Sequence, residues 1–162
     1  MAAVAERGFT LIELLVVLVV VGIMVGLASV RLMPDDERLL GDEAGRLALL
    51  LEQTRDQAVA SGEPIAFSTD GAGYAFWALD RDAVWVPRTG DELLRDRALA
   101  SGVRIAAVRV NGAPLAPGAR LLFLPSGANT PFAAELALNA ARTRIVGDRL
   151  GRVRVEHAET AQ

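Results

Sequence analysis

Residues Leu14 to Val30 carry no charge, and the apolar run reaches back to Phe9 with only Thr10 and Glu13 interrupting it. A run of about 22 such residues does not fold as a water-facing surface; as a helix rising about 1.5 Å per residue it covers a bilayer core of about 30 Å. The leader ahead of it is short, polar and ends Glu6-Arg7-Gly8. An ordinary secretory signal is built the other way round, with a basic start, an apolar middle and small residues after it for cleavage. Here the expected scissile bond lies before the run, so cleavage leaves the apolar helix on the mature chain.

Glu13 is the one carboxylate in that span. Burying it costs on the order of 3 kcal/mol on insertion scales, so it is either a working group or a group held at the cytoplasmic interface. Cleavage after Gly8 frees an α-amino group on Phe9, one helical turn from Glu13. That spacing suits a charge pair within one chain or an offset pair with a neighbouring chain. Gly22 and Gly26 fall on one helix face, which fits ordinary transmembrane composition as well as close helix approach. Arg7 before the span, and Arg31 followed by Asp35-Asp36-Glu37 after it, give a small bias for a cytoplasmic leader.

The stretch Arg7-Gly8-Phe9-Thr10-Leu11-Ile12-Glu13, with the apolar run behind it, resembles the class III (type IV prepilin-like) signal. The resemblance implies that Gly8 ends the leader and that Phe9 becomes an N-methylated N-terminus. It implies that Glu13 neutralises the N-terminal amine of an adjacent subunit during filament assembly. A membrane aspartic peptidase and N-methyltransferase would then be the enzyme and this chain its substrate.

Beyond the span about 130 residues remain, enough for one compact domain. The formal charge of -3 argues against a surface that coats nucleic acid throughout. The absence of cysteine is compatible with a reducing compartment or an envelope protein. All 17 basic residues are arginine, permanently charged and able to bind carboxylates bidentately.

After Pro34, which is expected to loosen or kink the helix where Asp35 or Asp36 can recap it, helical spacing resumes through Leu40, Ala44, Leu47, Leu51, Arg55 and Ala58. Ser61-Gly62-Glu63-Pro64 is a helix stop. Strands are expected at 65–69 and 74–79 around the turn Asp70-Gly71-Ala72-Gly73, then at 83–86. Residues 90–100 read as a loop with one helical turn at Leu93-Leu94. Strands follow at 103–110, closed by Asn111-Gly112, and at 120–124, 132–138, 142–146 and 152–155, with Asp148 to Gly151 as the last turn. A helix followed by about seven short strands predicts an α+β architecture, an antiparallel sheet or sandwich packed on the helix's second half. The expected organisation is a leader over 1–8, a transmembrane helix over 9–33, a periplasmic domain over 34–156 and a polar tail over 157–162.

The set Gly73-Tyr74, Phe76, Asp80 and Trp85, the segments Phe123-Leu124-Pro125-Ser126-Gly127 and Thr130-Pro131-Phe132, and Asp148 with Gly151-Arg152-Val153 resemble minor pseudopilins of the H type from type II secretion systems. The same domain type occurs in minor pilins of type IV pili. The resemblance implies a single-pass protein of the bacterial inner membrane with its domain in the periplasm. It implies a structural subunit near the tip of the pseudopilus, partnered by major and minor pseudopilins and the inner-membrane assembly platform. The type IV pilus minor pilin is the alternative, and some of that kind take part in DNA uptake.

No enzyme is expected, and no cofactor or metal. The single histidine, His157, stands in a polar tail, and a triad of Ser126, His157 and Asp148 would lack a nucleophile elbow. Asp80, Asp82, Asp91 and Glu92 could offer oxygens to calcium, but Asp80-Arg81-Asp82 reads as a turn whose arginine balances its carboxylates. Arg142 and Arg144 on one strand and Arg152 and Arg154 on the next, with Arg149 at the turn, are expected on one sheet face. Such a patch fits acidic groups of a partner or phosphates. No aromatic residue interleaves with these arginines, so nucleic acid is the lesser expectation.

Overall fold

The computed structural model describes residues 11–31, 36–116 and 118–157. Gly8, Phe9, Pro34, Asp35 and the tail from residue 158 lie outside the described residues. The chain divides between Asp35 and Asp36 into two units.

The first unit is helix α1, Leu11–Arg31, of 21 residues, with Glu13 in its first turn, where a carboxylate complements the positive end of the helix dipole. All its described side chains, from Leu11 to Val25, are exposed. Among the described residues no helix is long and apolar enough to cross a membrane. The stretch from Leu11 to Val25 spans only about 22 Å at a rise of about 1.5 Å per residue.

The second unit opens with α2, Asp36–Ser61, carrying Asp36 and Glu37 in its first turn. The expected stripe is the packing face: Leu40, Ala44, Leu47, Leu51 and Ala58 are all buried. Thr54 is buried with them, and its Oγ1 donates to the Leu50 carbonyl at 2.6 Å, which satisfies a hydroxyl that water cannot reach. The helix stops where Gly62 takes a φ of 72° and its N–H donates to the Ala58 carbonyl.

Among the described residues ten strands follow: β1 Ile65–Thr69, β2 Gly73–Leu79, β3 Trp85–Pro87, β4 Arg97–Ala98, β5 Arg104–Val110, β6 Ala113–Pro114, β7 Leu121–Phe123, β8 Phe132–Leu138, β9 Ala141–Gly147 and β10 Val153–His157. They form two antiparallel sheets. One runs β3-β2-β1-β7 with β4 beside β2; the other runs β10-β9-β8-β5-β6. Helix α2 packs on β8, β9 and β10 of the second sheet and on β1 and β7 of the first. The core between them holds Leu47, Leu51, Phe67, Phe76, Phe123, Leu136 and Ile145. Tyr74 belongs to the same core, where burial raises its hydroxyl pKa above the usual range against the lowering pull of Arg46.

The turn at Asp70 forms because its Oδ1 accepts the N–H groups of Ala72 and Gly73, at 3.0 and 2.7 Å. Asn111 and Gly112 take φ of 52° and 80° and close the tight hairpin between β5 and β6. Three expectations are corrected. The third strand starts at Trp85 and takes in Pro87, which an edge strand tolerates. The short strands β4 and β6 were not anticipated, since two residues carry no readable alternation. Leu93-Leu94 is not a helical turn: Asp91 Oδ1 accepts both their N–H groups, at 2.9 and 2.8 Å, and the chain then enters β4.

Candidate functional site

Two regions carry the predicted residues. In α1, Glu13 stands among exposed leucines and valines. Among the described residues Gly22 has nothing within 4 Å of where a Cβ would stand.

The arginines lie on the second sheet. On β9, Thr143 and Ile145 turn into the core while Arg142 and Arg144 are exposed. Cross-strand partners share a face, so the β9–β10 register puts Arg154 beside Val146 and Glu156 beside Arg144 on that outward side. Arg152 is exposed but precedes β10; its N–H donates to Asp148 Oδ1 at 3.0 Å and its carbonyl accepts from the Asp148 N–H. Arg149 lies in the same turn. The face is partly neutralised: Arg154 pairs with Glu156 at 3.2 Å, and Arg142 comes within 3.9 Å of Glu135 on β8.

Two further arginines, Arg104 and Arg109, join this face, and sequence reasoning missed them. They are five positions apart, so regular alternation sends them to opposite sides of β5. The register shift between Ile105 and Ala107 inserts one extra residue and puts Arg104, Ala107 and Arg109 on the outward side, with Ile105 and Val108 buried. Two small residues, Ala106-Ala107, inside a strand-like run were the only available signal.

The motif segments at 123–132 and 148–153 converge on α2. The Asn129 N–H donates to the Arg149 carbonyl at 3.3 Å, tying the loop after β7 to the last turn. Arg55 lies against both: a Cβ on Gly151 would stand 2.5 Å from Arg55 Nε, and one on Gly127 would stand 3.7 Å from its terminal nitrogen. Gly151 has φ 82°, so backbone conformation and close approach both call for glycine there. These motifs build the junction of helix and sheets.

Asp80 and Asp91, in the β2–β5 region, are turn-formers. Asp80 Oδ1 accepts the N–H groups of Asp82 and Val84 at 2.9 and 2.8 Å. Asp91 pairs with Arg88 at 2.5 Å; burial raises its pKa, but the hydrogen bonds from Arg88 and the N–H groups of Leu94 and Leu93 outweigh that and hold it at about 2. Among the described residues no cluster of histidine or acidic side chains could hold a metal ion. Ser126 Oγ accepts the Ala128 N–H at 3.4 Å, and Asp148 holds the last turn. His157 ends β10.

Residues 43–151 match the family model "Type II transport protein GspH", and residues 4–29 match that of the prokaryotic N-terminal methylation motif. Type II secretion system protein H of Pseudomonas aeruginosa is 36% identical over 89 residues, covering 54% of this chain and 52% of that protein. The match thus spans about half the length of this curated relative. The crystal structure of the minor pseudopilin EpsH from the type II secretion system of Vibrio cholerae has a TM-score of 0.65 at 18% identity, covering 78% of this chain and 99% of that one. The solution structure of Escherichia coli GspH gives 0.59 at 16% identity, with coverage of 81% and 98%. The type IV minor pilin FimU of Pseudomonas aeruginosa gives 0.52 at 18% identity, with coverage of 72% and 87%. The fold is therefore the pilin-like α+β fold, and the chain belongs to the Type II transport protein GspH family.

Proposed function

We propose that this protein is a minor pseudopilin, a structural subunit of a type II secretion system that supports protein export and performs no catalysis itself. The observation that carries the reading is the pairing, on one chain, of the family match over 43–151 with the methylation motif over 4–29. Fold alone does not divide this branch from type IV minor pilins, because FimU has the same fold. The similarity to a curated type II secretion system protein H favours the secretion branch.

In this reading the peptidase cuts between Gly8 and Phe9 and methylates the new amine. Residues 9–33 hold the protein in the bacterial inner membrane and 34–156 form the periplasmic domain. The uncharged run from Leu14 to Val30 in the sequence supports such an anchor. Glu13 then meets the N-terminal amine of a neighbouring pseudopilin as the helix leaves the assembly platform for the filament.

Intact-mass analysis of the membrane fraction tests the processing. The wild type should lack Met1 to Gly8 and carry one extra methyl; Gly8→Arg should leave the full-length precursor in the membrane. A wild-type chain cut near Ser29 would show an ordinary signal peptide and end this reading. Glu13→Ala should still insert and be cleaved, yet lose co-purification with other pseudopilins. Full secretion by that variant as the sole copy would remove Glu13 from assembly.

A further inference from the structure

We propose that the outward face of the second sheet is a docking trough for an acidic surface of a neighbouring protein subunit, floored by β8 and walled by arginines of β5 and β9. The inference deepens the subunit reading above and rests on it for the nature of the occupant.

The geometry comes from the register. Strand β8 lies between β5 and β9. Ala137 pairs with Arg104 on one side and Arg142 on the other; Glu135 pairs with Ala107 and Arg144; Ala133 pairs with Arg109 and Val146. Neighbouring strands lie about 4.8 Å apart, so the backbones at Arg104 and Arg142 stand about 10 Å apart with Ala137, fully covered, between them. The levels of Ala137 and Ala133 are four residues apart along β8, about 13 Å. The bulge of β5 is what brings Arg104 and Arg109 to the same wall.

Charge distribution selects the occupant. Glu135 stands in the middle of the floor and Glu156 continues its row beyond Arg144. Arg142 donates to the Asn139 and Ala141 carbonyls at 2.7 and 2.8 Å and lies 3.9 Å from Glu135, Arg154 pairs with Glu156, and Arg109 donates to the Gly112 carbonyl at 3.2 Å. Arg104 and Arg144 make no ion pair or side-chain hydrogen bond among the described residues. The cationic groups therefore lie around an acidic centre. A phosphate backbone, charged at every few ångströms, would have to pass over Glu135. A protein surface can instead place separate carboxylates against the arginines and a neutral or basic side chain against Glu135. Arginine binds carboxylates bidentately, and Ala133, partly exposed between the walls, suits apolar contact with a folded partner. The outward residues of β8 and β9 include no aromatic group on which a base could stack.

The test uses the full chain in the cells that make it, with a photo-crosslinking phenylalanine derivative at exposed Ala107 and adducts sequenced by mass spectrometry. The expected adduct is a segment of another pilus subunit that presents carboxylates on both sides of a neutral or basic residue. The double variant Arg104→Glu/Arg142→Glu should lower its yield at least tenfold, with the detergent-purified chain still folded by circular dichroism. Arg104→Lys/Arg142→Lys should retain most of the yield. Loss in both variants alike, no adduct, an adduct lacking carboxylates, or unaltered yield after charge reversal overturns the trough. So does salt-sensitive micromolar binding of a 20-base-pair duplex DNA to the purified chain, abolished by Arg142→Gln/Arg144→Gln/Arg152→Gln/Arg154→Gln. N-terminal cleavage and co-purification of the wild type are read separately. If both occur and the trough outcomes fail, the trough alone falls; if neither occurs, the subunit reading falls and takes the trough with it.

Discussion

Helices α1 and α2 are similar in length, 21 and 26 residues, yet the described side chains of α1 are all exposed while α2 buries Leu40, Ala44, Leu47, Leu51 and Ala58. In α2 the apolar positions recur at helical spacing, with Asp42, Arg46 and Asp56 on the outer side, so one face packs and the other is solvated. In α1 apolar residues go all the way round. Covering a Leu or Val side chain is worth about 1.5–3 kcal/mol, a drive that α1 can satisfy only against lipid or other helices. Stability of the folded unit should therefore respond to α2, and assembly to α1.

The largest expected effect comes from testing that division directly. Leu51 is fully buried, so Leu51→Ala should cost about 2–5 kcal/mol of unfolding free energy, read by tryptophan fluorescence during urea denaturation in nonionic detergent. Leu18, 67% exposed, should change the same measurement by less than about 0.5 kcal/mol when made alanine. An equal loss in both variants would break the comparison.

A smaller effect should appear where α2 is clamped by the loops. Gly151→Val puts a branched Cβ against Arg55 and forces a β-branched residue into positive φ, costing about 1–3 kcal/mol. Adding Arg55→Ala removes the collision but not the backbone strain, so the two changes should cost less together than separately. Strict additivity would mean that Arg55 is no part of the clamp.

The smallest effect lies away from both helices, at Asp91. Its folded pKa, about 2, is below the ordinary aspartate value of 3.8, so its contribution is present above about pH 4 and lost as pH falls toward 2. After discounting for solvent screening this is worth on the order of 1 kcal/mol. Unfolding free energies between pH 5 and pH 2 should fall by that much more in the wild type than in Asp91→Asn. Parallel pH profiles would show that the Arg88 pair contributes nothing to the unit.

Local patterns carried much of this fold because each depends on a few neighbouring residues. The unbroken apolar run marked α1; the three- and four-residue spacing from Leu40 to Ala58 marked the buried face of α2; Asp70-Gly71, Asn111-Gly112 and the Asp148 turn marked hairpins because their side chains or their freedom at positive φ close the backbone. The prepilin-like signal was equally local. Strand pairing was not, since β1 finds β7 and β5 finds β8 across long stretches of chain, and alternation within a strand says nothing about its neighbour. The phase of β5 was decided at the same level: its bulge is set by pairing with β8 and by the Ile105 N–H donating to the Gly71 carbonyl at 2.8 Å. Sequence alone thus determined an apolar helix, an amphipathic helix and a series of hairpins. Tertiary structure alone decided that Arg104 and Arg109 join Arg142 and Arg144 on one outward face around Glu135, because one extra residue in a paired strand reverses which side every following side chain faces.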